Sequence, residues 1–246
     1  MKKVALLISG RVKGFDQCIA ATRENLLNIY QPTIFASVHG DSVEEPTIKE
    51  FAEAFRIPLS DKHIVVSKYR KENPESGIWN EFLDDPLKSV RYASQFYHLH
   101  NAFELLNAYV VTTGESFDAV IRWRADIYPY APFPIDYDRL NDNIILVPQT
   151  KHYNHRKADW IPDQNAVCTF NGMQKYCSVH KNAFSYFDQY GIAYGIPENT
   201  LFRHMEKCNV TWTFFGDEWG YDLYSDRFLS ADDEFSFSCV DGAGST

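Results

Sequence analysis

Residues 4–14 read VALLISGRVKG, and this stretch decides the fold class. Its first six residues, from Val4 to Ser9, form a continuous aliphatic run, which is typical of a parallel strand buried on both faces. Two glycines and two basic residues follow in the turn 10–14. From Phe15 to Ile29 apolar residues then recur every three or four positions, which predicts an amphipathic helix. The stretch therefore reads as the strand–turn–helix start of an α/β domain.

Strand and helix patterns continue to alternate along the chain. Polar stretches at 67–86 and 149–165 are predicted to be surface loops, and no repeat or linker divides the sequence. The alternation predicts one α/β domain, with a mostly parallel central sheet and helices on both faces. Further strands are predicted at 33–38, 63–66, 117–123 and 144–147, and further helices at 46–56, 92–106, 173–187 and 198–207.

The composition of the 246 residues excludes several classes of protein. A hydrophobic share of 45% supplies a sizeable core, which excludes a disordered chain. The net charge of −9 argues against a general nucleic-acid binder. Eight carboxylates lie between Gly216 and Asp241 with Arg227 as the single basic residue, so the remainder is close to neutral. The near-neutral remainder of the chain can still bind an anionic ligand.

The cysteines and the hydropathy pattern bear on the compartment. Five scattered cysteines without CxxC spacing fit reduced thiols better than a zinc site or a disulfide framework. The apolar run at 4–9 is too short for a signal peptide, and no stretch approaches the roughly 18 apolar residues of a membrane span. We therefore expect a soluble, intracellular, cytoplasmic protein without a transmembrane segment.

The turn after the first strand is one candidate binding site. In doubly wound sheets, ligands bind beyond the carboxyl ends of the strands. In the turn that follows Ser9, Gly10 and Gly14 allow backbone N–H groups to approach a ligand. Arg11 and Lys13 add positive charge at a helix N-terminus, which suits a diphosphate. The turn matches neither GxGxxG nor a P-loop. A plain strand-to-helix turn with solvated cations is the alternative.

The strongest local signal is the segment 121–128, IRWRADIY. Strand alternation predicts that Arg122, Arg124 and Asp126 share one face. Charged groups in line at the end of an interior strand need partners or a polar cleft, since an unpaired buried charge is costly. Asp126 is therefore a candidate ligand for a divalent cation. An internal Arg–Asp brace without a ligand is the alternative.

Three further candidates lie downstream. The loop 151–157, KHYNHRK, suits a basic lid over a phosphate, with His152 and His155 as a weak candidate metal pair. Asp163, fixed behind a proline, is a candidate base toward a sugar hydroxyl, or else a turn residue. Glu198 in Pro-Glu-Asn is a candidate catalytic carboxylate, or else a helix N-terminal acid that offsets the dipole.

The order of these segments resembles a known family. The segments are Ser9-Gly10-Arg11, the helical run Ser94-Gln95-Phe96-Tyr97, Arg122-x-Arg124-x-Asp126, Asp163-Gln164 followed by Met173-x-x-Tyr176, and Pro197-Glu198-Asn199-x-Leu201. In order and spacing they resemble the small GT-A-type glycosyltransferases of bacterial lipopolysaccharide and capsule synthesis and of large DNA viruses. The resemblance covers most of residues 1–205 and implies a GT-A-like, Rossmann-related fold.

The resemblance implies transfer of a sugar from a nucleotide-diphosphate donor to a hydroxyl of a growing glycan. The donor would be bound by the turn 9–13 together with Gln95, Arg122, Arg124 and Lys151, with Mn²⁺ or Mg²⁺ at Asp126 bridging the diphosphate. Asp163 and Glu198 would be the catalytic carboxylates. The family's Asp-x-Asp is here Asp126-Ile127-Tyr128, so either a metal ion or the three cations Arg122, Arg124 and Lys151 would neutralise the diphosphate.

The resemblance also implies an organisation for the chain. Residues 1–130 would be the nucleotide-sugar-binding half, 131–215 the acceptor-side half and 216–246 an acidic aromatic tail; a viral protein would act in the host cytoplasm. Two other readings stay open: a non-catalytic carbohydrate- or nucleotide-binding module, and a metal-dependent phosphoesterase built around His152 and His155. The sequence does not decide between inversion and retention, and leaves donor, acceptor and oligomeric state open.

Overall fold

The computed structural model describes residues 2–12, 14–40, 45–67, 86–148, 160–190, 197–214, 219 and 221–223. Nine strands lie in these ranges: β1 (Val4–Gly10), β2 (Thr33–His39), β3 (Ile64–Ser67), β4 (Ala119–Trp123), β5 (Ile127–Pro129), β6 (Ile144–Val147), β7 (Ala166–Cys168), β8 (Thr211–Phe214) and β9 (Tyr221–Leu223).

Seven α-helices and one π-helical turn complete the described elements. In chain order they are α1 (Phe15–Thr22), the π turn (Arg23–Leu27), α2 (Asn28–Tyr30), α3 (Glu45–Phe55), α4 (Pro86–Thr113), α5 (Phe170–Cys177), α6 (Val179–Tyr190) and α7 (Pro197–Lys207). Among the described ranges, none of these helices combines the length and apolar character needed to cross a bilayer.

The central sheet has seven strands in the order β3-β2-β1-β4-β7-β6-β8. The first four in this order run parallel to one another. Only β7 runs against its neighbours, pairing antiparallel with β4 and with β6, and β8 is parallel to β6. The predicted α/β class with a mostly parallel sheet is confirmed. A separate antiparallel pair joins β5 to β9.

Two apolar layers lie on opposite faces of the sheet. Because side chains alternate along β1, Leu6 and Ile8 pack into the layer that holds α1 and α3. Ala5 and Leu7 pack into the other layer, against α4, α5, α6 and α7. The prediction that helices cover both faces is therefore confirmed. Along each strand, alternate residues point into the same layer.

Some sequence predictions were wrong in detail. The helix predicted at 173–187 is two helices, because α5 ends at Ser178, whose N–H and hydroxyl both bond back to the Lys175 carbonyl. In the loop predicted at 149–165, residues 161–165 are buried rather than exposed. The strands β5, β7, β8 and β9 were not predicted, because runs of three or four residues carry too little periodicity. In the surface loop predicted at 67–86, Ser67 ends β3 and Pro86 begins α4. Residues 68–85 and 149–159 lie outside the described residues.

Candidate active site

Strand register brings two of the predicted segments to one edge of the sheet. Leu7 is the partner of Arg122 in the β1–β4 ladder, and Ile8 is the partner of Trp123. The turn that follows β1 therefore lies beside the residues that follow β4. Gly10 ends β1 with a φ of +104°, a backbone conformation that L-residues rarely adopt. This edge is the carboxyl end of four parallel strands, where ligands bind in such sheets.

The end of β1 contributes a buried hydroxyl. Ser9 has the same parity as Leu7 and so faces the α4 layer; its Oγ is buried and has no hydrogen-bond partner among the described residues. Its partner in β2, Ser37, bonds through Oγ to Nδ1 of His98 on α4 at 2.9 Å. Arg11 is exposed. Lys13 lies outside the described residues, so its donor-binding role stays a prediction.

Arg122 is buried in the same layer, with 1% of its surface exposed. Its Nη1 donates to the main-chain oxygen of Gln164, and its Nε has no partner within the described ranges. Burial lowers the pKa of Arg122, while Tyr176 and Asp163 nearby favour its charged form. The guanidinium that was expected to line an open cleft is thus largely enclosed by protein groups, because β7 and the segment 161–165 cover it.

Arg124 and Asp126 form a bidentate ion pair. Nε of Arg124 donates to Oδ1 of Asp126 at 2.9 Å, and Nη2 donates to Oδ2 at 2.6 Å. The side chains are 30% and 20% exposed, so the pair opens partly to solvent. Burial opposes the charge of Arg124, but the carboxylate more than offsets it and raises the pKa of Arg124. β4 ends at Trp123, and the turn beyond it places the two groups together.

Asp163 lies in the buried segment 161–165. Its Oδ2 accepts a hydrogen bond from Nε2 of Gln95 on α4, and its Oδ1 is buried with no partner in the described part of the chain. The amide oxygen and nitrogen of Asn165, also buried, lack partners there too. An unsatisfied buried polar group costs about 1–3 kcal/mol. Several such atoms near one sheet edge are typical of a site that a polar ligand or water fills.

Glu198 lies at the N-terminus of α7. Glu198 is half-buried in the first turn of α7, and its main-chain oxygen accepts from the N–H of Ile161 at 3.4 Å. The position fits a carboxylate that offsets the helix dipole, and it also brings α7 beside the segment that carries Asp163. Lys151, His152 and His155 lie outside the described residues.

Four residues of the cluster were missed as site residues by sequence reasoning. The Tyr176 hydroxyl is buried near Arg122 and Asp163. Gln164 accepts from Arg122 through its main-chain oxygen and from Tyr221 through Oε1, the latter at 3.1 Å. Asn165 follows directly. A polar run before a short apolar strand was the available signal for 163–165, but nothing in the sequence connected Tyr221 to this edge.

The expected metal site was tested against the side chains present. Both oxygens of Asp126 are engaged by Arg124, and the described residues contain no group of three His, Cys, Asp or Glu side chains placed to share an ion. Mg²⁺ is octahedral and is usually held by one or two carboxylates together with substrate phosphates and water. The described residues therefore offer no preformed set of ligands for Mn²⁺ or Mg²⁺, because the carboxylate expected to hold the ion is already bound to Arg124.

Comparison with known proteins gives structural neighbours only. No protein-family model matches the sequence, and no curated protein matches it. The galactosyltransferase LgtC in complex with donor and acceptor sugar analogues is similar over 85% of this chain and 73% of its own, at 11% identity and a TM-score of 0.49. An active-site mutant of LgtC has a TM-score of 0.47, with 11% identity over 85% and 72% of the two chains. Mouse xyloside xylosyltransferase 1 has a TM-score of 0.43, with 11% identity over 86% and 84%.

Proposed function

We propose that the chain is a glycosyltransferase that moves a sugar from a nucleotide-diphosphate donor to a hydroxyl of a growing glycan. One observation carries the proposal: the separate segments on which the family resemblance rests lie together in space. Gln95 of α4 bonds to Asp163, Arg122 of β4 bonds to Gln164, and the Ile161 N–H bonds to Glu198 at the start of α7.

The β1 turn joins the same cluster through the β1–β4 register. Residues more than 180 positions apart in sequence thus converge at one sheet edge. By itself, the β1 turn could be a plain turn with solvated cations, and the Arg124–Asp126 pair could be a structural brace. Neither explains why the buried atoms Ser9 Oγ, Arg122 Nε and Asp163 Oδ1 lack partners at this edge in the described chain.

The arrangement suits the chemistry of glycosyl transfer. A carboxylate deprotonates the acceptor hydroxyl, the oxygen forms a bond to the anomeric carbon, and the bond from that carbon to phosphate breaks with its electron pair leaving on the nucleoside diphosphate. Positive charge fixed near the leaving group stabilises it as the bond breaks. In this proposal Arg122 and Arg124 supply the charge and Asp163 is the base of an inverting reaction.

Several finer expectations remain part of the proposal. Arg11, Lys13 and Lys151 would add charge to the donor site, and Glu198 would act on the acceptor side. Mn²⁺ or Mg²⁺ stays a prediction that metal titration tests, and the described donor set favours guanidinium neutralisation. We place the reaction in the cytoplasm, where nucleotide sugars would be the donors. The division at residues 130 and 215 stays a prediction as well.

A donor panel tests the function. The protein is incubated with UDP-, GDP- and dTDP-sugars, with and without Mn²⁺, and release of nucleoside diphosphate is followed. Slow hydrolysis of one donor in the absence of acceptor is the expected result. Tight binding without turnover for every donor would instead favour the binding module, and cleavage of simple phosphodiesters would favour the phosphoesterase.

Asp163→Asn tests the proposed base. We expect the variant to bind the donor as the wild type does and to lose transfer by about 10²- to 10⁴-fold, the usual worth of a positioned base. Asp61→Asn, which changes an exposed aspartate in the turn before β3, is the matched control and should transfer normally. Unchanged transfer by Asp163→Asn would remove Asp163 from the mechanism.

A further inference from the structure

The C-terminal strand β9 is attached to the turn that carries Arg124 and Asp126. It pairs antiparallel with β5, with Leu223 opposite Ile127 and Tyr221 opposite Pro129. Because β5 begins one residue after Asp126, this pairing fixes the far end of that turn. The pairing therefore places β9 beside the turn that carries Arg124 and Asp126.

Trp219 anchors this segment. Its indole Nε1 donates to the main-chain oxygen of Ala131 at 3.0 Å. Its ring packs edge-on against Phe133 at 5.2 Å and Trp123 at 6.2 Å between centroids. Trp123 is the last residue of β4, so the anchor contacts the strand from which Arg122 projects. Edge-on aromatic pairs of this kind contribute about 0.5–1.5 kcal/mol each beyond burial, which holds Tyr221 in a defined place.

Tyr221 connects β9 to the segment 161–165, which carries Asp163 and Gln164. Its hydroxyl donates to Oε1 of Gln164 at 3.1 Å, while the main-chain oxygen of Gln164 accepts from Arg122. The tyrosine is 4% exposed, and burial raises its pKa, so the phenol keeps the proton that it donates. Gln164 is thus held at its side chain by Tyr221 and at its backbone by Arg122.

The segment that carries Asp163 needs such support because residues 160–165 belong to no helix or strand. The hydrogen bonds that hold it include the Ile161 bond to α7, the Gln95 bond to Asp163 and the two bonds to Gln164. A shift of about 1 Å in a reacting group changes a rate by about 10²-fold. The loss of one hydrogen bond that holds this segment is therefore expected to be visible in turnover.

We propose that Tyr221 is a positioning residue for the transfer reaction: through Gln164 it fixes the place of Asp163 beside Arg122. The inference rests on the proposed function and deepens it, because it makes the C-terminal segment a part of the catalytic unit. Tyr221 acts through Gln164 and does not itself meet the reacting atoms.

Tyr221→Phe tests the inference, since it removes the hydroxyl and keeps the ring. Tyr186→Phe is the matched control: Tyr186 is also buried, and its hydroxyl bonds to Nδ1 of His204 at 2.8 Å, between α6 and α7. Unfolding in urea, the Kd of the donor's nucleoside diphosphate, kcat and the donor KM are measured for wild type and both variants.

We expect Tyr221→Phe to lower kcat about tenfold with Kd and KM within twofold of wild type, and Tyr186→Phe to lose comparable stability with unchanged kcat. Equal kcat for Tyr221→Phe and wild type would overturn the inference and leave the proposed function standing. A kcat loss in both variants that follows their loss of stability would overturn it too. A wild-type protein that turns over no donor would overturn the proposed function and this inference together.

Discussion

The Arg124–Asp126 pair is a brace whose strength can be measured by a double-mutant cycle of Arg124→Met, Asp126→Asn and the double variant. Exposed ion pairs contribute about 0–1 kcal/mol, and removing one partner of a fully buried pair costs about 3–5 kcal/mol. This pair is bidentate at 2.9 and 2.6 Å and is 30% and 20% exposed. We therefore expect a coupling free energy of about 1–2 kcal/mol.

The cycle is measured by urea unfolding of all four proteins at pH 7 and low salt, with equal m-values as the condition for comparing them. A coupling below about 0.3 kcal/mol would refute the reasoning, because it would mean that the two groups do not hold each other in place. High salt should weaken the coupling only in part, since the pair is mostly shielded from solvent.

Nucleotide binding by the same variants separates a brace from a metal site. If Arg124 carries the diphosphate, Arg124→Met loses nucleotide affinity with and without Mn²⁺, and Asp126→Asn keeps its metal-free affinity. If Asp126 holds a metal ion, Asp126→Asn loses only the Mn²⁺-dependent part. The first pattern is the one that the observed ion pair predicts.

Two further predictions concern stability. Gly10→Ala should lower the free energy of unfolding, measured in urea, by about 1–2 kcal/mol, because alanine is strained at this positive φ. Steric clash does not contribute, since a Cβ at this position would meet no atom within 4 Å. An unchanged urea midpoint would contradict this reasoning. Burial lowers the pKa of His204 to about 4. As the pH falls, His204 is therefore protonated near pH 6.5 in the unfolded chain but only near pH 4 in the folded protein. The free energy of unfolding consequently decreases as the pH drops from about 6.5 to 4. Between pH 7 and pH 5 this effect lowers the free energy of unfolding by about 2 kcal/mol. Urea unfolding at the two pH values should therefore show a correspondingly smaller loss of stability in His204→Gln than in the wild type. An equal loss in both proteins would exclude His204 as the source.

The fold was largely predictable because its first two strands, β1 and β2, are buried on both faces. Val4–Ser9 is a continuous aliphatic run, Thr33–Val38 is mostly apolar, and the helix predicted between them carries a clear 3–4 periodicity. The short strands β7 and β9 were not predictable in this way. Their pairing partners are distant in sequence, and three residues carry no period of their own, so tertiary contacts decide their conformation.

The sequence predicted where several candidate site residues lie in the fold, but it did not predict their contacts. Alternation correctly placed Arg122 on the side of the sheet opposite Trp123, and loop position put Asp163 near the carboxyl edge. The partners chosen by Arg122 and Arg124 depend on where β7 and the turn after β4 lie, which local sequence does not encode. Tyr221 was missed for the same reason, since its contact with Gln164 closes a loop of more than fifty residues.

The central claim is that the cluster at the carboxyl edge of β1 and β4 binds a nucleoside diphosphate. A crystal structure of the protein with the nucleotide that binds most tightly tests it most directly. We predict the diphosphate beside the Gly10 turn, within hydrogen-bonding distance of Arg124 or Arg122, with Oγ of Ser9 newly bonded to the nucleotide and Oδ1 of Asp163 newly bonded to water. A nucleotide bound elsewhere, with the Arg124–Asp126 pair intact and those atoms still unpartnered, would contradict the claim.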